Sequence, residues 1–127
     1  MISSAVSRRT APRVALGLVS IGLLGAAISV VVATGASWWW VAGTAMAPDI
    51  ALLAGVGRGL EPSRLHPRAV PLYNALHHPA GPMALAALAV ASLGAGPGAA
   101  ALAWGFHIAM DRAAGYGLRT RAGFQRS

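Results

Sequence analysis

The sequence predicts an all-α fold: a four-helix transmembrane bundle forming one integral membrane domain over residues 1–127, with both termini cytoplasmic. Three observations carry this. Hydrophobic residues make up 56% of the 127 and charged residues only 10%, against about 25% charged in a soluble domain. A small domain must expose much of its chain, and this one lacks the polar residues to cover such a surface, so lipid is the expected solvent. The apolar residues also gather into four long runs, and the cations, all Arg, fall between them.

The first run, 14–34, carries no charge, and about 20 apolar residues cross a bilayer core. Arg8, Arg9 and Arg13 precede it as in a signal peptide, but the run is longer than an h-region, and Trp38, Trp39 and Trp40 stand where a small-residue cleavage site is expected. The second span, 38–56, opens with those three Trp, which favour the lipid–water interface. Pro48 kinks it by removing one backbone bond, which neighbouring helices re-satisfy. RGLEPSRLHPR at 58–68 reads as a loop, with His66 solvated in it. The third span, 69–93, begins with Pro71, Pro79 and Pro82 among Asn74, His77 and His78; it is one kinked helix or two helices with a break, as in discontinuous helices that line binding sites. Residues 94–98, GAGPG, read as a tight turn. The fourth span, 99–117, ends at Gly115, Tyr116 and Gly117, where glycine lets the backbone turn and tyrosine marks the interface. A basic tail follows.

Orientation comes from the arginines. Arg8, Arg9 and Arg13 precede the first span. Arg58, Arg64 and Arg68 lie between the second and third, and Arg112, Arg119, Arg121 and Arg126 lie at and beyond the end of the fourth. With four spans these segments fall on one side, the cytoplasmic one by the positive-inside rule. The net charge of +7 is therefore a membrane-anchor pattern, and nucleic acid is not an expected partner. The bilayer is, together with a second copy or another membrane protein that small-residue helix faces would pack against. The absence of cysteine removes disulfides and thiolate metal sites. No internal repeat, phosphate loop or nucleophile motif is present.

Four ionisable groups lie inside the apolar runs: Asp49, His77, His107 and Asp111. Such groups are costly in lipid and mark functional interiors. At 1.5 Å rise per residue, Asp49 and His77 each lie roughly 13 Å from the basic boundaries at Arg58 and Arg68. His107 and Asp111, on one helix face at i and i+4, lie roughly 18 and 12 Å from Arg119. Arg112 snorkels to headgroups or pairs with a carboxylate. Asn74 either orients His77 or bonds a neighbouring helix, and His78 faces away from the site.

At these residues the chain resembles the DUF4260 family of small, uncharacterised bacterial membrane proteins. APDIALL at 47–53, YNALHH at 73–78 and HIAMDRAAGYGLR at 107–119 with Gly123 and Phe124 carry the likeness, over nearly the whole chain. It implies a compact four-helix membrane protein and marks Pro48, Asp49, Tyr73, Asn74, His77, His107, Asp111, Arg112, Gly115, Tyr116 and Gly117 as motif positions. The likeness also implies a short acidic, histidine-bearing tail after the Gly-Phe, where this chain reads Gln125, Arg126 and Ser127. HHPAGP at 77–82 is richer in proline than the family pattern.

Three readings of the cluster follow. Two imidazoles and two carboxylates suit a divalent metal such as Zn²⁺, Mn²⁺ or Fe²⁺, which would activate water against a lipid or lipid-linked substrate, with Tyr73, Asn74, Arg112 and Tyr116 in support. Alternatively the groups form a buried polar network that pins helix packing, although such contacts average only about 0.6 kcal/mol in membranes. The third reading is a proton or ion relay. The spacing matches no ligand signature such as HExxH.

Overall fold

A computed structural model of the chain describes residues 2–126; the Arg8 side chain and Ser127, named above, lie outside the described residues. The chain is all-α. Each of the four apolar runs is helical, two of them with an interruption. Helix α1 (Ile2–Thr34) is continuous. Helix α2 (Trp39–Met46) passes through a 3-10 turn, Ala47–Asp49, into α3 (Ile50–Ala54). After a loop and a second 3-10 turn, Pro67–Ala69, come α4 (Val70–Leu76) and α5 (Ala80–Leu88), the latter closing in a π turn at Ala89–Leu93. Helix α6 (Ala95–Ala114) completes the set.

Three boundaries differ from those expected. Helix α1 begins before the apolar run, so Arg9 and Arg13 stand on it, since Arg is a good helix former. Helix α6 starts at Ala95, so only Gly94, at φ +88°, makes the turn. Pro97 is accommodated because the first turn's N–H groups need no intrahelical partner. The helix ends at Ala114, with Gly115 at φ +97° in the left-handed cap position.

Helix α6 is the axis. It packs against α1, α2 and α5. A Cβ on Gly17 would touch Ala113, and one on Gly105 would touch Leu23, so α1 runs antiparallel to α6. Trp40 lies against Gly96, and Ala45 contacts His107, so α2 runs parallel to it. Ala89 faces Gly98, Gly81 faces Trp104 and Asn74 bonds Arg119, so α4 and α5 run antiparallel. The chain thus alternates in direction, bringing the start of α1 to the end of α6.

The core is built from small residues. Ala27, Ala99 and Ala103 are fully buried with Val31 and Val41, which lets backbones approach closely. The large apolar side chains turn outward instead: Trp39, Leu53 and Val90 are 80%, 76% and 91% exposed. From Arg9 to Thr34, α1 is long and apolar enough to cross a membrane; 39–54 and 80–92 are shorter apolar helices.

The basic tail is a hook folded against the 55–66 loop. Arg119 and Gln125 pair as a single antiparallel bridge. Leu65 N donates to Gly123 O at 3.0 Å, and Arg64 Nε donates to Ala122 O at 2.8 Å. Gly123 has φ +96°, and a side chain there would run into the Leu65 carbonyl. His66 is also better held than expected: half-buried, its Nδ1 accepts from Arg68 N at 3.2 Å and caps the second 3-10 turn.

Candidate metal centre

The two helix interruptions face one uninterrupted helix, and the four ionisable groups meet there. Asp49 sits in the 3-10 turn between α2 and α3, where Pro48 brings no N–H to the ladder. His77 caps the end of α4, where Pro79 keeps the helix from running on into α5. His107 and Asp111 stand one turn apart on α6. The end of α4 is secured from α6: Trp104 Nε1 donates to Leu76 O at 2.7 Å and Arg112 Nη2 to His77 O at 3.1 Å. These bonds satisfy carbonyls that a continuous helix would have used itself.

His77 and His107 are almost wholly buried; Asp111 is mostly covered, whereas the Asp49 side chain is 51% exposed. Asp49 therefore marks the open edge of the cluster. His77 Nδ1 donates to Tyr73 O at 2.8 Å, and His107 Nδ1 donates to Ala45 O at 2.7 Å. A carbonyl oxygen only accepts, so each neutral ring carries its proton on Nδ1 and presents the Nε2 lone pair to the centre. This is the arrangement by which a backbone carbonyl fixes the tautomer and orientation of a metal-ligating histidine.

Five of the six separations among the ligand atoms fall between 3.3 and 3.6 Å. The two Nε2 atoms are 3.3 Å apart. His77 Nε2 lies 3.6 Å from Asp49 Oδ1 and 3.4 Å from Asp111 Oδ2, and His107 Nε2 lies 3.4 Å from each. All four offer one ligand atom within 4.8 Å of the others. Charge-assisted hydrogen bonds run shorter, at about 2.7–2.9 Å. Bonds of about 2.0–2.2 Å to a tetrahedral ion put neighbouring ligand atoms roughly 3.3–3.6 Å apart. Without a cation, a proton on one imidazole or carboxyl would have to bridge these atoms, at separations longer than such bonds take.

The supporting residues divide. Tyr73 stacks on the His77 ring, centroids 3.9 Å apart and planes 15° apart. Asn74 does not orient His77: its amide makes a reciprocal pair with the Arg119 backbone, at 2.9 and 2.7 Å, because i+3 spacing fails where the helix ends at His77. Arg112 neither snorkels clear nor pairs with Asp111; it grips His77 O, and Tyr116 O at 3.5 Å. The Tyr116 side chain is exposed and only borders a small void beside His77 and Asp111. His78 lies outside the cluster, its Nδ1 accepting from Ala80 N at 3.1 Å.

Sequence reasoning missed the carbonyls of Ala45 and Tyr73 that orient the rings, and the roles of Trp104 and Arg119. Arg119 is buried, its guanidinium 4.9 Å from the Tyr73 ring centroid and donating to Ser63 O at 2.7 Å and Gly123 O at 3.0 Å. The signal available for the Ala45 carbonyl was Pro48, since a proline break frees backbone acceptors nearby; Tyr73 O also keeps the helical bond from His77 N at 3.0 Å.

No curated protein and no solved structure matches the chain. The profile described as a domain of unknown function (DUF4260) matches residues 13–127, which takes in both proline breaks and all four members of the cluster. The chain therefore belongs to the DUF4260 family.

Proposed function

We propose that this is a multi-pass integral membrane protein of the cell membrane, a single domain of four spans, that holds a divalent metal ion between Asp49, His77, His107 and Asp111. The observation that carries the metal reading is the convergence of two buried Nε2 lone pairs and two carboxylate oxygens, 3.3–3.6 Å apart across the five measured pairs, with both Nδ1 atoms committed to carbonyls. A proton-bridged network would draw at least one pair to about 2.7–2.9 Å, shorter than any of these five. The spacing favours a tetrahedral ion, Zn²⁺ above all.

The membrane reading is supported by the apolar length of α1, by an exterior of large apolar side chains over an alanine-rich interior, and by the alternating helix directions. Those directions gather the Arg-bearing segments at one end, which the positive-inside rule assigns to the cytoplasm. A topology reporter fused after Ser127 is expected to be cytoplasmic; an extracytoplasmic signal would sink the four-span topology.

Four protein ligands close a tetrahedral ion, so water would enter as a fifth ligand or in place of Asp49, the exposed member of the cluster. An ion opened in this way would lower the pKa of bound water and polarise an ester or phosphoryl oxygen, which fits hydrolysis of a lipid or lipid-linked substrate. For the protein purified in mild detergent, with no chelator and no histidine tag, mass spectrometry is expected to find about one transition metal per chain. Well-folded protein that stays metal-free after incubation with Zn²⁺, Mn²⁺ and Fe²⁺ would leave the cluster as a packing network or proton relay.

A further inference from the structure

A groove of about 430 Å³ runs between α1, α5 and α6, within the size range of small-molecule sites, about 300–1,000 Å³. Leu16 and Val19 of α1, Met83 and Ala86 of α5 and Leu102 of α6 line it, and its one charged residue is Arg112. From Ala101 to Arg112 it follows α6 for roughly 16 Å. Its residues on α6, among them Gly105 and Ile108, lie roughly a third of a turn round from His107 and Asp111, so the groove runs along a different face of α6 from the metal ligands.

The Arg112 end is cationic. Two of the Arg112 N–H groups go to carbonyls, leaving the rest of its five donors for another acceptor. Arg13 comes to the same end from α1, its guanidinium so near Gly115 that a Cβ there would lie 2.9 Å from Nη2. Arg9 stands one turn earlier on the same face of α1. Among the described residues, neither Arg13 nor Arg112 forms an ion pair with a carboxylate. The chain has three acidic residues; two of them, Asp49 and Asp111, face the histidines, and Glu61 is on the loop. An apolar channel capped by arginines without carboxylate partners is complementary to one kind of membrane component.

We infer that this groove binds an acyl tail of an anionic bilayer phospholipid, with Arg112 and Arg13 on its phosphate. The tail supplies apolar surface over the exposed groove walls, and the guanidinium forks supply paired donors to phosphate oxygens. The inference rests on the membrane reading and not on the metal. It is therefore tested on EDTA-treated protein in detergent, while membrane insertion is read separately by the topology reporter.

The experiment is native mass spectrometry with equimolar phosphatidylglycerol and phosphatidylcholine of identical tails. One phosphatidylglycerol per chain is expected, retained at least tenfold over phosphatidylcholine. The Arg13→Gln, Arg112→Gln double variant is expected to lose that preference, and Ala86→Phe to lose retention of both lipids. Met83→Trp, on the exposed rim, blocks the groove without entering the core and serves if Ala86→Phe does not fold. Equal retention of the two lipids by the wild type, full retention of phosphatidylglycerol by folded groove-blocked protein, or displacement of the lipid by glycerol phosphate would each overturn the inference.

Discussion

His107→Ala is expected to abolish tight metal binding and, with it, the stabilisation that the ion confers. An ion present at 100 times its dissociation constant stabilises the folded state by about 2.7 kcal/mol, on the order of 10 °C in melting temperature for a chain of this size. Chelator-stripped wild type is expected to show that rise on adding Zn²⁺, and the variant none. The effect is large because His107 is buried, contributes one of two imidazoles and has its ring set by Ala45 O. A second comparison separates metal site from polar network. If the four groups exist to hold an ion, stripping it removes most of what His107 contributes beyond its bond to Ala45 O and its packing. The melting gap between wild type and variant is then much narrower without metal than with it. A gap of the same size in both conditions would mean that His107 acts by packing and hydrogen bonding alone.

Arg119→Ala is expected to destabilise the protein by roughly 3 kcal/mol, as hydrogen bonds from a charged donor contribute about 1.5–3 kcal/mol each, while Gly123 O keeps its bond from Leu65 N. Two such bonds are lost, to Ser63 O and Gly123 O, along with the guanidinium over Tyr73. The tail hook and the 55–66 loop are then expected to open together. Limited proteolysis reads this as new cleavage near Arg58 or Arg64 in the variant, with a lower melting temperature. Because Tyr73 stacks on His77, metal affinity is expected to fall as well, by 10–100-fold as when other supports of metal ligands are removed. A variant that melts with the wild type and resists cleavage equally would show that the hook is held by its backbone bonds without Arg119.

Much of the architecture was legible because it is written in composition and periodicity. Charge-free runs, the arginines between them, Pro48 and the three prolines from 71 to 82 each act locally, through hydropathy or a missing N–H. The identity of the candidate ligands was equally plain, since an ionisable group in an apolar run is conspicuous wherever it stands. The third run was readable only as kinked or broken, because a proline says that the ladder is interrupted and not whether neighbours bridge the gap. The tail read only as basic, because its fold depends on the 55–66 loop, far away in sequence. Arg119 looks like any other basic flank until Ser63, Tyr73 and Gly123 are brought around it.

By itself the sequence determined that the chain is helical, which residues break its helices, and that two histidines and two aspartates lie among apolar neighbours. Each of these depends on a residue's own chemistry and on spacing along one helix. The tertiary structure decided that the two interruptions face the same turn of α6, that both Nδ1 atoms meet carbonyls, and that both Nε2 atoms meet the carboxylates at nearly equal distances. Those facts depend on how α2, α4 and α6 pack. Packing sums small contacts between residues 30 to 60 positions apart, which no local pattern in the chain encodes.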